Sequence, residues 1–340
     1  VIESNKKHST NLLIKQTKIF FLNNKTEEIK KTFNCKYLED NLAEFFYIIA
    51  NIYSGQNDFQ LSNFYLKISL FLNQKFLTNK TLLAENFYNQ NKIKKSKEVY
   101  NSLMSIGSVY SWHVSKIIAG IVKKEEGAES SINILEKQFN LLANPNYEHY
   151  YELANFYKNN DFYEESIKFY SMALKELKEG HHLFPKILYR RGTSHERLDD
   201  WKSAEKDLIR SLKVQPDEPH VLNYLAYTWI DRGINLDKGL KMLKKASKLS
   251  NDDGYIIDSL GWAFYAKKNY VMAEQYLQRA VQLLPLDPII NDHYADNLWM
   301  LNKNLQARYV WNHILKLNET EEKLKNDIKK KLIFGVNKKL

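Results

Sequence analysis

The chain has 340 residues, of which 44% are hydrophobic and 13% aromatic, and its formal net charge at pH 7 is +10. Its single cysteine, Cys35, excludes an internal disulfide. No run of 18 apolar residues occurs, so the sequence predicts no membrane-spanning helix.

Two short helical patterns open the chain, around Leu12–Phe21 and Thr26–Phe33, with Asn23–Asn24 between them. Neither pattern fits the repeat that follows. We therefore assign residues 1–40 to an N-terminal helical segment, which is either a degenerate repeat or an N-terminal cap.

Beyond this segment, a small residue recurs at nearly constant spacing. The steps between successive copies are 34, 35, 35, 38, 34, 35 and 34 residues. The copies are Ala50, Ala84, Ala119, Ala154, Gly192, Ala226, Gly261 and Ala295. A second small residue follows each of them, at Ser62, Ser96, Ser131, Ser166, Ala204, Gly239, Ala273 and Ala307. A period this steady is typical of a helical repeat array.

The longest step includes the stretch KEGHHLFP, residues 178–185. Gly180 and Pro185 there predict that one helix stops and the next one restarts. We expect this stretch to lengthen the loop between two repeats.

Residues 254–288 show one complete repeat. Ile257, Leu260 and Phe264 surround Gly261 at helical spacing, and Lys267–Asn269 form a polar turn before a second helical pattern. The pattern resembles the tetratricopeptide repeat in its residues Leu260, Gly261, Phe264, Ala273, Ala280 and Pro285, with Ile257 in place of the first aromatic residue. The resemblance implies an all-α fold, a right-handed superhelical solenoid of antiparallel helix pairs, with about eight repeats in residues 41–316.

After Leu315, the stretch Glu319–Leu332 predicts a charged helix with Leu324, Ile328 and Leu332 at four-residue spacing. Solenoids need a terminal helix with one polar face to cover the last exposed core. We therefore expect residues 317–340 to form a capping helix and a basic tail.

A closer resemblance covers residues 221–311. The runs LNYLAYTWIDRGINLDKGL, DDGYIIDSLGWAFY and DPIINDHYADNLW are similar to a subgroup of bacterial, alphaproteobacterial-type tetratricopeptide proteins of the cell envelope. This resemblance implies a periplasmic or envelope-associated protein, with the cytoplasm as the alternative. It implies no catalytic residue and no cofactor.

Arrays of this family present the first helix of each pair to a concave groove. Placed on this chain, the groove offsets predict a partner-binding site that combines carboxylate, amide and aromatic groups. Its residues are Asn223, Tyr227, Tyr255, Asp258, Trp262, Tyr265, Asp292, Asp296 and Trp299. Such a groove suits an extended peptide or protein segment that carries Lys or Arg.

A purely structural interpretation stands beside this one. Asp258 and Asp292 could be first-turn charges that are favourable at a helix N-terminus, and Trp262 and Trp299 could be core residues. In this interpretation the acidic residues serve the helices rather than a partner.

The histidines offer little chemistry by themselves. His181 and His182 have no carboxylate or cysteine at ligand spacing, so we predict no metal site. His293 lies between Asp292 and Asp296, at a spacing that allows an Asp–His contact, but no nucleophile accompanies it.

The charge pattern argues against a nucleic-acid partner. The excess of lysine is scattered, which favours solubility over nucleic-acid binding. We interpret the short basic runs, residues 92–97 and Lys329–Lys331, as solvated surface.

The sequence therefore favours a non-enzymatic scaffold that binds a peptide or a partner protein in its groove. The alternative is a regulatory or substrate-recruiting module of a longer enzyme, such as a glycosyltransferase or a peptidase. This alternative rests on the start of the chain at Val1, which is not a methionine.

Overall fold

The computed structural model describes residues 11–30 and 37–336. These residues form nineteen α-helices and no β-strand. Cys35 and the last four residues of the expected basic tail lie outside the described residues. None of the described helices is both long and apolar enough to cross a lipid bilayer. The all-α fold class is confirmed.

The chain divides into two compact units, residues 1–160 and 161–340. The described helices of unit 1 are α1 (Leu12–Leu22), α2 (Thr26–Lys30), α3 (Leu38–Gly55), α4 (Phe59–Leu72), α5 (Leu77–Asn89), α6 (Ile93–Met104), α7 (Ser108–Glu126), α8 (Ala128–Asn140) and α9 (Tyr147–Lys158). Those of unit 2 are α10 (Tyr163–Glu176), α11 (Phe184–Arg197), α12 (Trp201–Val214), α13 (Pro219–Asp231), α14 (Leu236–Leu249), α15 (Gly254–Ala266), α16 (Tyr270–Leu283), α17 (Pro288–Met300), α18 (Asn304–Ile314) and α19 (Glu322–Phe334).

Within each unit, consecutive helices pack as pairs and the pairs stack on one another. The pairs are α3–α4, α5–α6 and α7–α8 in unit 1, and α11–α12, α13–α14, α15–α16 and α17–α18 in unit 2. All sixteen small residues of the two recurring series are buried. Unit by unit, this is the arrangement of a repeat solenoid.

Gly261 shows why the crossing points need small residues. A Cβ atom added to it would lie 2.7 Å from Leu277 Cγ and 3.1 Å from the Leu277 backbone nitrogen on the paired helix α16. Contacts this short would force the two helices apart. The glycine therefore sets the close approach of α15 and α16.

Most turns within the helix pairs share one backbone feature, a non-glycine residue in the left-handed region with φ between 50° and 65°, whereas the α7–α8 turn has Gly127 at φ 94°. Asparagine and aspartate tolerate this region better than other side chains. These turn residues are Asn57, Asn91, Asp161, Asp199, Asn235, Lys268 and Asn302, so one lysine occupies a position where the others are Asn or Asp.

The terminal helices each pack on the repeats of their own unit. In unit 1, Leu12 of α1 packs against the cluster that contains Tyr100 and Tyr110, and Gln16 Oε1 accepts a hydrogen bond from the Val109 amide at 2.9 Å. In unit 2, α19 packs on α18 through the fully buried Ile328. Pro185 lies in the first turn of α11, after the loop that contains His181 and His182.

Candidate functional site

The predicted acidic residues of unit 2 do not cap their helices. Asp253 and Asp287 occupy the N-cap positions of α15 and α17, and each accepts two backbone amide hydrogen bonds at 3.0–3.2 Å. Asp258 and Asp292 follow at the fifth helical residue, and neither helix has an acidic residue in its first turn. Their carboxylates are therefore available for contacts between helices.

The first such contact joins Asp258 of α15 to His293 of α17. The Nδ1 atom of His293 lies 2.9 Å and 3.1 Å from the two carboxylate oxygens, and both residues are buried. The Trp262 ring stacks on the imidazole with ring centroids 4.1 Å apart. The spacing in the sequence suggested Asp292 or Asp296 as the partner of His293, but the ion pair is made with Asp258, one repeat earlier.

The environment of His293 favours its charged form. Burial alone would lower the pKa of the imidazole, but attraction to Asp258, the hydrogen bond with it, and the charges of Asp292 and Asp296 together raise it. We infer that His293 and Asp258 form a buried ion pair at pH values below the raised pKa of His293.

The second contact joins Asp292 and Asp296 to Lys331 of the C-terminal helix α19. The Lys331 ammonium lies 2.7 Å and 2.8 Å from the oxygens of Asp292 and 2.8 Å from Asp296 Oδ2. Trp311 Nε1 donates a further hydrogen bond to Asp292 at 3.1 Å. The two carboxylates thus hold one lysine side chain between them.

This group of residues carries three carboxylates against one ammonium and one imidazole. Burial, followed by the charge of Asp292, raises the pKa of Asp296 to about 7. Asp296 Oδ1 is buried without a hydrogen-bond partner among the described residues. Burial would lower the pKa of Lys331, but Asp296 and Asp292 raise it. We call Asp258, Asp292, His293, Asp296 and Lys331 the acidic cluster.

Aromatic rings adjoin the acidic cluster. Trp262 stacks on Tyr265 at 4.5 Å as well as on His293, and the Tyr227 ring lies 6.5 Å from the imidazole. Burial and the charges of Asp231 and Asp258 raise the pKa of the Tyr227 phenol. The rings of Tyr227, Trp262 and Tyr265, which we call the aromatic wall, lie beside the charged groups.

The other predicted site residues lie apart from this wall. Trp299 packs against Trp311 at 5.6 Å, and a Cβ atom on Gly335, where φ is +73°, would overlap its ring. Tyr255 is 58% exposed and lies near Asp287 at the start of α17. Asn223 is half-buried, and its Oδ1 atom has no partner among the described residues.

Lys331 is the member of the cluster that the sequence analysis assigned wrongly. We interpreted Lys329–Lys331 as solvated surface, but the Lys331 side chain is only 20% exposed and is bound by two aspartates. A signal was present, because Lys331 falls on the helix face that carries Leu324, Ile328 and Leu332. Among the described residues, no group of His, Cys, Asp and Glu is arranged to hold a metal ion.

Comparison with known proteins gives one related sequence and no matching family model. No protein-family model matches the chain. A TPR repeat-containing protein of Pseudomonas aeruginosa is 35% identical over 127 residues, which is 37% of this chain. The chain spans only 21% of the length of that relative.

Two solved structures share the fold. A tetratricopeptide repeat protein of Parabacteroides merdae has a TM-score of 0.52 and 19% identity, covering 64% of this chain and 86% of its own. The APC/C hetero-tetramer Cut9–Hcn1 contains a chain with a TM-score of 0.57 and 15% identity, covering 81% of this chain and 52% of its own. Together with the repeat period and the paired helices, these similarities show that the chain has the tetratricopeptide repeat fold.

Proposed function

We propose that the chain is a non-enzymatic protein-interaction scaffold whose acidic cluster and aromatic wall receive a lysine- or arginine-bearing segment of a partner protein. The binding residues of this proposal are those predicted for the groove of unit 2. The partner is an extended peptide segment rather than a folded surface, because the predicted site follows the first helices of successive pairs.

The observation that carries the proposal is the binding of Lys331 by Asp292 and Asp296. Three oxygen contacts of 2.7–2.8 Å surround the ammonium. Hydrogen bonds between charged groups are about twice as strong as neutral ones. The chain's own lysine therefore illustrates the ligand chemistry that this pair of carboxylates recognises.

The aromatic wall supports the same ligand class. Trp262 and Tyr227 lie beside the Asp258–His293 pair. A cation near an aromatic face gains about 0.5–2 kcal/mol, depending on its desolvation. A lysine or arginine side chain of an extended segment bound here would contact both a carboxylate and an aromatic ring.

Lys331 also limits access to the site. Because α19 supplies this lysine, a partner lysine can occupy the space between Asp292 and Asp296 only after α19 moves away from α17. We therefore expect α19 to compete with the partner.

Two further points concern assembly and location. The Cut9–Hcn1 hetero-tetramer holds a chain of this fold together with a second protein, which supports a scaffold role. The relation to envelope proteins of alphaproteobacterial type, and with it an envelope location, stays a prediction.

The proposal can be tested with an array of 12-residue peptides that each carry one Lys or Arg, beside the same peptides with norleucine or citrulline at that position. The purified chain is expected to bind a subset only in the cationic form. The double variant Asp292→Asn, Asp296→Asn is expected to bind these peptides at least about tenfold more weakly, which corresponds to the loss of one charge-assisted hydrogen bond.

Two controls separate binding from folding. Asp237→Asn removes a carboxylate that is 91% exposed and pairs with Lys267, so it should leave peptide binding unchanged. Lys331→Met removes the internal competitor and should strengthen binding. Equal binding of cationic and neutral peptides, or undiminished binding by a folded double variant, would refute the proposal.

A further inference from the structure

Helix α3, the first long helix of unit 1, has an exposed apolar face. Its outward residues are large and hydrophobic, with exposed fractions from 39% to 70%. They are Leu38 (70%), Leu42 (39%), Phe45 (55%), Ile48 (53%) and Ile52 (55%). Exposing this much apolar side-chain surface to water along one helix is unfavourable. Contiguous exposed apolar patches commonly mark interaction sites.

The opposite face of α3 already packs within unit 1. Ala43 and Ala50 are fully buried, and the Tyr47 ring contacts Phe76 at 5.1 Å. At 3.6 residues per turn, these residues point about 140–160° away from Phe45. The exposed residues, which we call the α3 stripe, therefore belong to a second apolar face that the helix pairs of unit 1 do not use.

The spacing of the α3 stripe is symmetric about its central residue. Leu38 and Ile52 lie seven residues before and after Phe45, and Leu42 and Ile48 lie three residues before and after it. In an antiparallel pair of identical helices related by a two-fold axis, Leu38 would therefore face Ile52, and Phe45 would face its own copy. Such self-complementarity is what an isologous dimer interface requires.

The charges on α3 agree with this arrangement. Its acidic residues Glu39, Asp40 and Glu44 all lie in the first half, and residues 46–55 carry no charge. An antiparallel pair places the acidic half of each helix beside the uncharged half of the other, so like charges stay apart. The two helix dipoles also oppose each other.

The exposed area of the α3 stripe is of the same order as that of a specific protein interface. With about 200 Å² for each fully exposed residue of this size, the α3 stripe offers on the order of 500 Å², and a standard specific interface covers about 800 Å² per partner. Tyr37, which is 69% exposed at the start of the helix, extends the apolar surface.

From these observations we infer that the α3 stripe is a homodimer interface, in which a second copy of this chain packs its own α3 antiparallel across Phe45. This inference concerns unit 1 and is independent of the peptide-binding proposal for unit 2.

Sedimentation equilibrium of the full chain tests the interface. The wild-type chain is expected to approach twice its monomer mass of 40.2 kDa at micromolar concentration. Phe45→Glu would place two carboxylates face to face at the two-fold axis and should raise the dissociation constant at least about 100-fold. Phe71→Glu, at a residue of α4 that is 86% exposed and outside the stripe, is the matched control and should leave the dimer intact.

A cross-link tests the register. In a Cys35→Ser background, Phe45→Cys should form a disulfide between two chains under mild oxidation, whereas Phe71→Cys should not. A wild-type chain that stays monomeric up to about 200 µM would overturn the inference, since dimers of this size bind more tightly than that. A dimer that Phe45→Glu leaves unchanged would also overturn it.

Discussion

The two units fill the crossing points of their paired helices in different ways. In unit 1 the small residue of the second helix is a serine in every pair, at Ser62, Ser96 and Ser131. In unit 2 the pairs from α11 onward use Ala204, Gly239, Ala273 and Ala307. The backbone geometry therefore requires only a small side chain. Ser62 alone of the three serines joins an interhelical hydrogen bond among the described residues, since Ser131 donates to Ala128 in its own helix and Ser96 Oγ is buried without a partner.

The polar solution is clearest around Asn86 of α5. Its amide nitrogen donates to Ser62 Oγ at 2.7 Å and to Asn63 Oδ1 at 2.9 Å, and its amide oxygen accepts from Ser54 at 2.7 Å. Asn86 is fully buried. One amide thus links three helices, because its partners belong to α3 and α4.

From α11 onward, unit 2 places apolar small residues at its second-helix crossing positions, and its buried charges lie in the acidic cluster and in the Arg191–Asp207 ion pair. Gly261 and Leu277 meet in direct contact at one such crossing. The charged groups of the acidic cluster lie between α15, α17 and α19 instead. Buried polar groups specify a unique arrangement only when all of them are paired. Asp296, with one unpartnered oxygen, is therefore the member of the cluster most open to titration.

The largest expected effect comes from breaking the network of unit 1. Asn86→Ala removes the hydrogen-bond partner of the buried Ser62 and Asn63 and of the half-buried Ser54, and it should lower the free energy of unfolding of unit 1 by about 3 kcal/mol. Hydrogen exchange read by mass spectrometry resolves the two units and checks this. Asn89→Ala on the same helix is exposed and should change little. Equal effects of both variants would contradict the role given to the network.

The terminal helices sharpen the comparison further. Lys15 of α1 pairs with Glu148 at 2.9 Å, but both side chains are 31% exposed or more. Lys331→Met leaves two buried carboxylates unpaired and should weaken the docking of α19 by about 2–3 kcal/mol, whereas Lys15→Met should cost about 1 kcal/mol or less. Exchange protection of α19 and α1 measures both. A larger loss for Lys15→Met would reverse our interpretation of the two pairs.

A moderate effect is expected at the apolar crossing of unit 2. Gly261→Ala forces a Cβ atom against Leu277 and should lower the free energy of unfolding of unit 2 by about 2 kcal/mol. Gly180→Ala is the control, since a Cβ atom there meets nothing within 4 Å. Urea unfolding followed by tryptophan fluorescence measures the difference. A neutral Gly261→Ala variant would show that the crossing is not tightly packed.

The buried charge of unit 2 should make its stability depend on pH. The pKa of Asp296 is raised from 3.8 to about 7, so the folded state binds the proton more tightly than the unfolded chain does. Stability therefore falls as pH rises between these values. The raised pKa of His293 acts in the same direction, because its stabilising contribution is lost as pH rises through that pKa.

Asp296→Asn isolates the first contribution. The wild-type chain should lose stability relative to this variant between about pH 5.5 and 8.0, as measured by the urea midpoint of unit 2 at the two pH values. Parallel pH dependence of the two proteins would argue against a proton on Asp296 in the folded state. Asn86 in unit 1 carries no titratable group, so its hydrogen-bond network should add no pH dependence to the stability of unit 1.

The smallest expected effect concerns the turns. Unit 1 places Asn57 and Asn91 at left-handed turn positions, whereas unit 2 places Lys268 at one of them, with φ of 61°. Lys268→Asn should raise the free energy of unfolding of unit 2 by about 0.5 kcal/mol. The reverse change, Asn302→Lys in the next turn, where φ is also 61°, should lower it by a similar amount. Effects of the same sign would exclude backbone preference as the cause.

The repeat itself could be predicted from the sequence, because a helix pair depends on residues within one period. Small residues at Gly261 and Ala273 are needed wherever two helices cross, and the residues that surround them lie within about 35 positions. The same local logic places Asn and Asp in the turns. The candidate site was only partly predictable. Helical offsets indicated which residues share a face, but not which side chains arrive from other helices.

The sequence by itself determined the helix pairs, their period and the face on which Asp258, Asp292 and Asp296 lie. Only the tertiary structure decided that His293 pairs with Asp258 and that Lys331 enters from α19 to bind the other two aspartates. The physical reason is range. Periodicity reports contacts within a helix or a helix pair, whereas these ion pairs join residues 35–39 positions apart and depend on how successive repeats and the terminal helix stack.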